Sequence, residues 1–224
     1  MDSPFRRIFI ALPVNDDAII QSLTEVVDNL AKYRSFLKIV PSINYHITVK
    51  FFGQVESNIA ESLTESFMSL NKLNNDCPAA EGGGIKLNMV HYNDYLAAEG
   101  GGKKLNIVHY HIDKISAFSA KGNPSFIWAG LKCSEEPLAK IINSINELSL
   151  LFGFPVEKRN FMPHLTLARI KKNVKLPLEL KNYLDSKIEL KSSSSAFNEL
   201  ILFESILKKT GPEYKKLGVI NLIK

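Results

Sequence analysis

Cysteine is almost missing from this chain: Cys77 and Cys133 are the only two among 224 residues. Two thiols make no disulfide framework and fall short of the ligand set of a structural zinc site, so both read as ordinary thiols. Long apolar runs are missing as well. A bilayer-spanning helix needs roughly 18 to 20 apolar residues, whereas the N-terminal run Ile8–Val14 stops at Asn15-Asp16-Asp17. That run is too short for the apolar centre of an export signal, and no small-residue cleavage site follows it. A first β-strand, a cytoplasmic location and no membrane partner are the expectation. Acidic excess is the third absence. Lysine and arginine number 28 against 23 aspartates and glutamates, for a net charge of +5 and a pI near 9.0. A basic surplus favours phosphate-bearing partners, because cations displace the counterions condensed on a polyanion. Many soluble proteins carry as much charge, so this observation only supports others.

Hydrophobic residues make up 45% of the chain and the mean hydropathy is −0.03, values that fit one large globular domain or two small lobes. Arg6–Val14 is rich in β-formers and reads as a strand, with Asp16 or Asp17 capping an amphipathic helix over Ala18–Tyr33. Tyr45–Phe52 reads as a second strand, ended by Gly53. Ile59, Leu63, Phe67 and Leu70 recur at helical spacing within Ser57–Leu73. Phe126–Leu131 is a strand holding Trp128, the only tryptophan. A helix over Pro137–Phe152 buries one broad aliphatic face and stops at Gly153. His164–Ile170 and Glu199–Phe203 read as strands, Leu178–Ser186 as a short helix and Ser192–Ser195 as a polar connector. The strand-helix-strand pattern runs twice, near residues 40–75 and 160–190, which suggests two related lobes.

One segment stands apart. Ala79–Tyr92 (AAEGGGIKLNMVHY) recurs as Ala97–Tyr110 (AAEGGGKKLNIVHY), offset by 18 positions with two mismatches. Two units are too few for a solenoid, and triple glycines favour loops. A tandem-duplicated surface insertion at about residues 79–110 is the expectation. His91, His109 and His111 lie in or beside it, but two of them are copies of one position and no cysteine or carboxylate pair accompanies them. A metal site there is the weaker reading.

The chemistry is carried by a second repetition. Tyr45-His46-Ile47-Thr48-Val49 and Pro163-His164-Leu165-Thr166-Leu167 both read histidine, aliphatic, threonine, aliphatic. In a strand, residues i and i+2 face one side, so each histidine projects with its threonine while the aliphatics pack behind. A single His-x-Thr is more often a histidine satisfied at a sheet edge; two copies on β-type segments change the balance. Histidine titrates near neutrality, so two imidazoles can begin in opposite protonation states as base and acid. Threonine hydroxyls can donate to oxygens on which charge builds up. Neither strand carries the carboxylates of a Mg²⁺ or Mn²⁺ site. No metal and no cofactor are therefore expected, and the reaction proposed is in-line opening of a cyclic phosphodiester by water. By the same parity, Lys50 shares the His46 face and is a phosphate candidate.

With both His-x-Thr motifs, the stretches Arg7–Leu12, His46–Gly53, Ile115–Phe118, Trp128–Leu131, Phe161–Arg169, Phe203–Ser205 and Gly211-Pro212-x-Tyr214 resemble the RNA 2',3'-cyclic phosphodiesterases of the two-histidine phosphoesterases, long called 2'-5' RNA ligases. The resemblance spans nearly the whole chain outside residues 79–110. It implies one bilobed α+β domain over residues 1–224, with two pseudo-symmetric lobes of antiparallel sheet and outer helices around a central cleft. It implies hydrolysis of RNA 2',3'-cyclic phosphate ends, and the role assignment adopted with it is His164 as base on water and His46 as acid to the leaving 3' oxygen, giving a 2'-phosphate, with Thr48 and Thr166 donating to the non-bridging oxygens. It further implies that Arg169 contacts phosphate or base and that Phe51 stacks on the terminal nucleobase. The expected partners are RNA ends or oligonucleotides bearing a cyclic phosphate, met by a monomer. The alternatives are the reverse reaction, 2'-5' ligation, and an RNA-end binding module without turnover. Water at about 55 M opposes the first, and intact pairs of histidine and threonine oppose the second.

Overall fold

In a computed structural model, the structure describes residues 4–72, 104–120, 123–156, 160–186, 188, 190, 193–209 and 211–224. Among these residues the strands are β1 (Phe5–Pro13), β2 (Leu37–Ile39), β3 (His46–Glu56), β4 (Val108–Ala120), β5 (Asn123–Cys133), β6 (His164–Ile170), β7 (Ser194–Phe197), β8 (Glu199–Lys208) and β9 (Gly211–Asn221). They build two antiparallel sheets, in the orders β3-β1-β8-β9 and β2-β6-β5-β4-β7. The helices are α1 (Asp17–Ser22), α2 (Thr24–Ala31), α3 (Ser57–Lys72), α4 (Glu135–Leu151) and α5 (Leu178–Asp185). The fold is α+β and two-lobed, one sheet to each lobe. Among the described residues no helix is long and apolar enough to cross a membrane.

β1 shows why the first sheet has two packed faces. Its residues Ile8–Leu12 are all buried, the mark of a central strand covered on both sides. Ile8, Ile10 and Leu12 join the main core, while Phe9 and Ala11 pack with Ile201 and Phe203 into a small cluster on the opposite face. That second cluster becomes one wall of the cleft. Behind the sheet, Ala60, Leu63 and Phe67 are fully buried along α3, which packs on β9, β1 and β3. Each fully buried aliphatic or aromatic side chain contributes roughly 1.5–3 kcal/mol. α4 buries Leu138, Ile141, Ile145 and Leu148 in the same main core.

Several expected boundaries move. The helix expected over Ala18–Tyr33 is two helices, broken at Leu23. Ser22 Oγ bonds to the carbonyl of Ile19 at 2.7 Å and Thr24 Oγ1 to that of Ile20 at 3.4 Å. The Leu23 amide also bonds three residues back, to Ile20 at 3.2 Å. Hydroxyls competing for helix carbonyls, with one tightened turn, end the regular ladder there. The cap itself is as read: Asp16 Oδ1 accepts from the Ile19 amide at 3.0 Å. Gly53 does not end the second strand. Its φ of +80° is absorbed where Phe9 pairs with Phe51 and Ile8 with Gly53, leaving Phe52 without a partner. Glycine tolerates that left-handed backbone and β3 runs on to Glu56. Ser194 and Ser195, expected in a connector, belong to β7.

The duplicated segment needs the largest revision. Residues 79–103 lie outside the described residues, but the tail of the second copy is core, and no surface excursion. Leu105, Val108 and Tyr110 are all buried. Tyr110 stacks on Phe197 with ring centroids 4.0 Å apart, and Val108–His111 pair with β7. The Ile107 amide bonds to Ile223 at 2.8 Å and the Ile223 amide to Leu105 at 3.0 Å. Nothing in the copy's composition marks its last seven residues as a strand start, because the triple glycine dominates the reading.

Candidate active site

β3 and β6 are where the two sheets touch, and each carries one His-x-Thr. Both strands also carry a bulge at the same place. Thr48 pairs with Ala11 and Lys50 with Ile10, leaving Val49 over. Thr166 pairs with Trp128 and Ala168 with Ile127, leaving Leu167 over. An extra residue in one strand shifts the alternation of faces beyond it. Strict alternation would put residue i+5 opposite the histidine; the bulge returns it to the histidine's side. His46, Thr48 and Phe51 therefore share the cleft face, as do His164, Thr166 and Arg169, while Ile47 and Leu165 point into the core.

The same bulge overturns the expectation for Lys50. It turns the side chain inward, where it is only 5% exposed. Its ammonium donates to the Pro155 carbonyl at 2.6 Å, tying β3 to the segment after α4. Lys50 is absent from the cleft.

Each histidine is held by the carbonyl two residues before it. Nδ1 of His46 lies 2.8 Å from the Asn44 oxygen, and Nδ1 of His164 lies 2.8 Å from the Met162 oxygen. A carbonyl only accepts, so Nδ1 carries the proton in both rings and Nε2 is left for chemistry. Asn44 sits in a 3₁₀ turn over Ser42–Asn44, and its own side chain donates to the Pro212 carbonyl at 3.4 Å. The two rings differ in surroundings. His46 packs against Phe9 (5.1 Å) and edge-on against Tyr214 (5.3 Å, 87°). Desolvation pushes its pKa below the ordinary 6.5, the Asn44 carbonyl opposes this, and repulsion from Arg169 and His164 adds to it. The ring of His164 meets the edge of Trp128 at 6.0 Å, and its carbonyl contact is exposed. Gly130, the register partner of His164, makes room for that indole: a Cβ there would lie 2.9 Å from Trp128 Cζ3.

Between the strands lies a cavity of about 120 Å³ lined by His46, Thr48, His164, Thr166, Arg169 and Tyr214. It opens on one side into a space of about 340 Å³ beside Arg7, Phe51 and Ser205. There the Arg7 guanidinium lies over the Phe51 ring, 4.7 Å from its centroid, and Phe51 is 43% exposed. Among the described residues no carboxylate lines either space. Arg169 has no acidic partner among them, so its charge faces the cavity uncompensated. The site is thus a phosphate-sized hollow with two imidazoles, two hydroxyls and a bare guanidinium, next to an aromatic shelf.

The C-terminal part of the chain, residues 131–214, matches the LigT like Phosphoesterase family. That stretch contains His164, Thr166, Arg169 and Tyr214. The first motif falls within a wider match, to an Aeropyrum pernix protein named RNA 2',3'-cyclic phosphodiesterase, 25% identical over 195 residues that cover 87% of this chain and 92% of that one. Residues 131–214 thus carry the likeness to the LigT-like phosphoesterases, and the wider match extends a likeness to one named relative over most of the chain. Among solved structures of similar fold, a Thermus thermophilus protein has a TM-score of 0.64 at 17% identity, covering 96% of this chain and 97% of the other. Escherichia coli LigT complexed with 3'-AMP has a TM-score of 0.60 at 16% identity, covering 98% and 99%.

Of the residues singled out in the sequence, this phosphoesterase fold gathers His46, His164, Thr48, Thr166, Arg169 and Phe51 in one cleft and takes Lys50 out. Tyr214 was noticed only as part of Gly-Pro-x-Tyr, yet it lines both spaces and touches His46. Arg7 was quoted within a first strand and shares the Phe51 shelf. Among the described residues, no group of three histidine, cysteine or acidic side chains is placed to hold a metal ion. His109 and His111 are exposed on β4, and His91 lies outside the described residues. Burial pushes the Cys133 thiol up to about 12, so it is an inert packing residue.

Proposed function

We propose that this chain hydrolyses 2',3'-cyclic phosphate ends of RNA to 2'-phosphates, with His46 and His164 as the acid–base pair. The observation that carries this is the convergence of two His-x-Thr strands, one from each sheet, on a small cavity whose described lining has cations and no carboxylate. A cyclic phosphate brings one negative charge, a P–O3' bond that water can attack in line from the opposite side of phosphorus, and a base for Phe51 to meet. The curated relative's name agrees with it.

In the mechanism, Thr48, Thr166 and Arg169 hold the two non-bridging oxygens, where charge concentrates as water attacks phosphorus. One imidazole Nε2 removes the proton of the attacking water. On the opposite side the P–O3' bond breaks, and the Nε2 proton of the other imidazolium goes to O3'. The pair ends with its protonation states exchanged and the phosphate on O2'. The sequence expectation placed the base at His164. The surroundings favour the reverse: burial beside Phe9 and Tyr214 favours the neutral form of His46, in which a base must start, and the acid's role falls to His164. Phe51, backed by Arg7, forms the shelf for the terminal base, since unpaired bases stack on aromatic rings. The protein acts as a cytoplasmic monomer. Incubating it with a cyclic-phosphate-ended oligonucleotide in EDTA tests the reading. Conversion to a 2'-phosphate with rate proportional to enzyme is expected; tight binding without conversion would make it a binding module.

A further inference from the structure

The central cavity has a second opening, away from the Phe51 shelf. A groove of about 640 Å³ runs outward from His46 and Tyr214 between the segment Lys38–Tyr45 and the β8–β9 hairpin. Part of its lining is apolar: Ile43, 90% exposed, and Pro41 from the one segment and Pro212 from the other. Ile43 stands on the 3₁₀ turn Ser42–Asn44 and offers an exposed aliphatic surface on which a planar base can rest.

The groove holds three lysines, and their environments differ. Lys208 is ion-paired with Glu213, and Lys216 lies 3.6 Å from Glu199. Lys38 has neither an ion pair nor a hydrogen bond among the described residues. It stands on β2, the edge strand beside β6, at the register position of Arg169. From there it reaches across to the first sheet, where its Nζ lies 3.6 Å from the place of a Cβ on Gly211. It also lines both the central cavity and the groove, so its ammonium stands at the junction of the two.

We propose that Lys38 and Ile43 form a subsite for the nucleotide preceding the RNA terminus: Lys38 takes the phosphodiester between the last two nucleosides, and Ile43 supports the penultimate base. This rests on the proposed reaction and names its substrate class, an RNA chain in preference to a cyclic mononucleotide. The chain direction follows from the two openings. With the cyclic phosphate between the histidines and its base on the Phe51 side, the 5' continuation leaves by the remaining opening, past Lys38. The internal phosphodiester is the next anion along that path, and Lys38 is the unpaired cation that meets it.

The test compares a nucleoside 2',3'-cyclic phosphate with a dinucleotide bearing the same end, on the full chain. Turnover of the mononucleotide by the unaltered protein checks the underlying reaction separately. Lys38→Ala is expected to raise KM for the dinucleotide at least about tenfold more than for the mononucleotide, and to lower the salt dependence of dinucleotide binding by close to one phosphate contact. Ile43→Ser, a change at a fully accessible position, is expected to raise dinucleotide KM selectively without changing the salt slope. Binding of a dinucleotide with a 2'-phosphate end, followed by fluorescence anisotropy, gives the same comparison without turnover. Equal effects of Lys38→Ala on both substrates would overturn the proposal and put Lys38 on the cyclic phosphate. An unaltered protein that shows the same KM for both lengths would overturn it as well.

Discussion

In the proposed mechanism, protonation state divides the labour between two histidines that the sequence makes equivalent. The motif and the backbone carbonyl at Nδ1 are the same for both, and only packing differs. Replacing either by alanine is expected to lower kcat by at least about 10²-fold, with the thermal midpoint retained, as follows from the usual worth of one general acid or base. For His46 the direction of its shift gives two further results. The acidic limb of the kcat/KM profile should fall below pH 6.5, because the base stays neutral in more acidic solution than a free imidazole. Stability should move the other way. Between the lowered folded value and 6.5 the unfolded chain binds more protons, so the native state loses stability as pH falls from 6.5 through that window. Urea titrations at about pH 7.5 and about pH 5.5 check this: the wild type should lose more on acidification than His46→Gln. Lys50 provides the contrast. Lys50→Ala should cost about 1–3 kcal/mol, since a charge-assisted bond and buried stem are removed and the Pro155 carbonyl is left without its donor. Its KM for substrate should stay within about twofold of the parent. A tenfold rise would return Lys50 to the cleft.

At the scale of elements, the two bulges decide what faces the substrate. The histidines and threonines were legible because i and i+2 share a face before any irregularity. Lys50 was misread for the same reason: parity was carried past Val49, where the register jumps. A bulge leaves no mark in a run such as Ile-Thr-Val-Lys-Phe, since it is specified by the partner strand and the packing behind it. Phe51 and Arg169 came from resemblance, and the bulges supply the physical reason that residue i+5 returns to the histidine's side. Arg169→Ala takes out of the cavity the guanidinium that the bulge at Leu167 turns toward it. A rise in KM of at least about tenfold is expected, with a native circular dichroism spectrum as the control. Unchanged KM would mean that Arg169 does not bind the phosphate. The helix break at Leu23 was equally unreadable, because Ser22 and Thr24 look like ordinary exposed helix residues until their hydroxyls are seen on the carbonyls of the preceding turn.

For the whole molecule, the architecture was legible as two repeats of a strand-and-helix pattern, whereas the pairing of β4, β7 and β9 was not. Those strands are long-range partners whose sequences are broken by lysine, serine and glycine, and their burial is set by sheet neighbours. The duplication hid one of them. Since the sheet uses Leu105, Val108 and Tyr110, removing residues 79–110 should leave insoluble protein; Tyr110→Ala alone removes a stacked core ring at a cost of about 3–5 kcal/mol. Removing one 18-residue unit, Ala79–Leu96, joins Pro78 to Ala97 and keeps the copy that the sheet uses. Turnover within about fivefold of the parent and an unchanged thermal midpoint are expected, and loss of solubility would show that the first copy is structural too.

The central claim is an acid–base pair across phosphorus, and leaving-group substitution reaches it most directly. A cyclic phosphate whose 3' bridging oxygen is replaced by sulfur expels a thiolate, which needs no proton from the enzyme. Rates are measured for the wild type, His46→Ala and His164→Ala on the oxygen and sulfur substrates. The account predicts that sulfur restores His164→Ala to within about tenfold of the wild type and leaves His46→Ala at least about 10²-fold down. Restoration of His46→Ala instead would exchange the two roles, and histidine variants that match the wild type on the oxygen substrate would contradict the pair altogether.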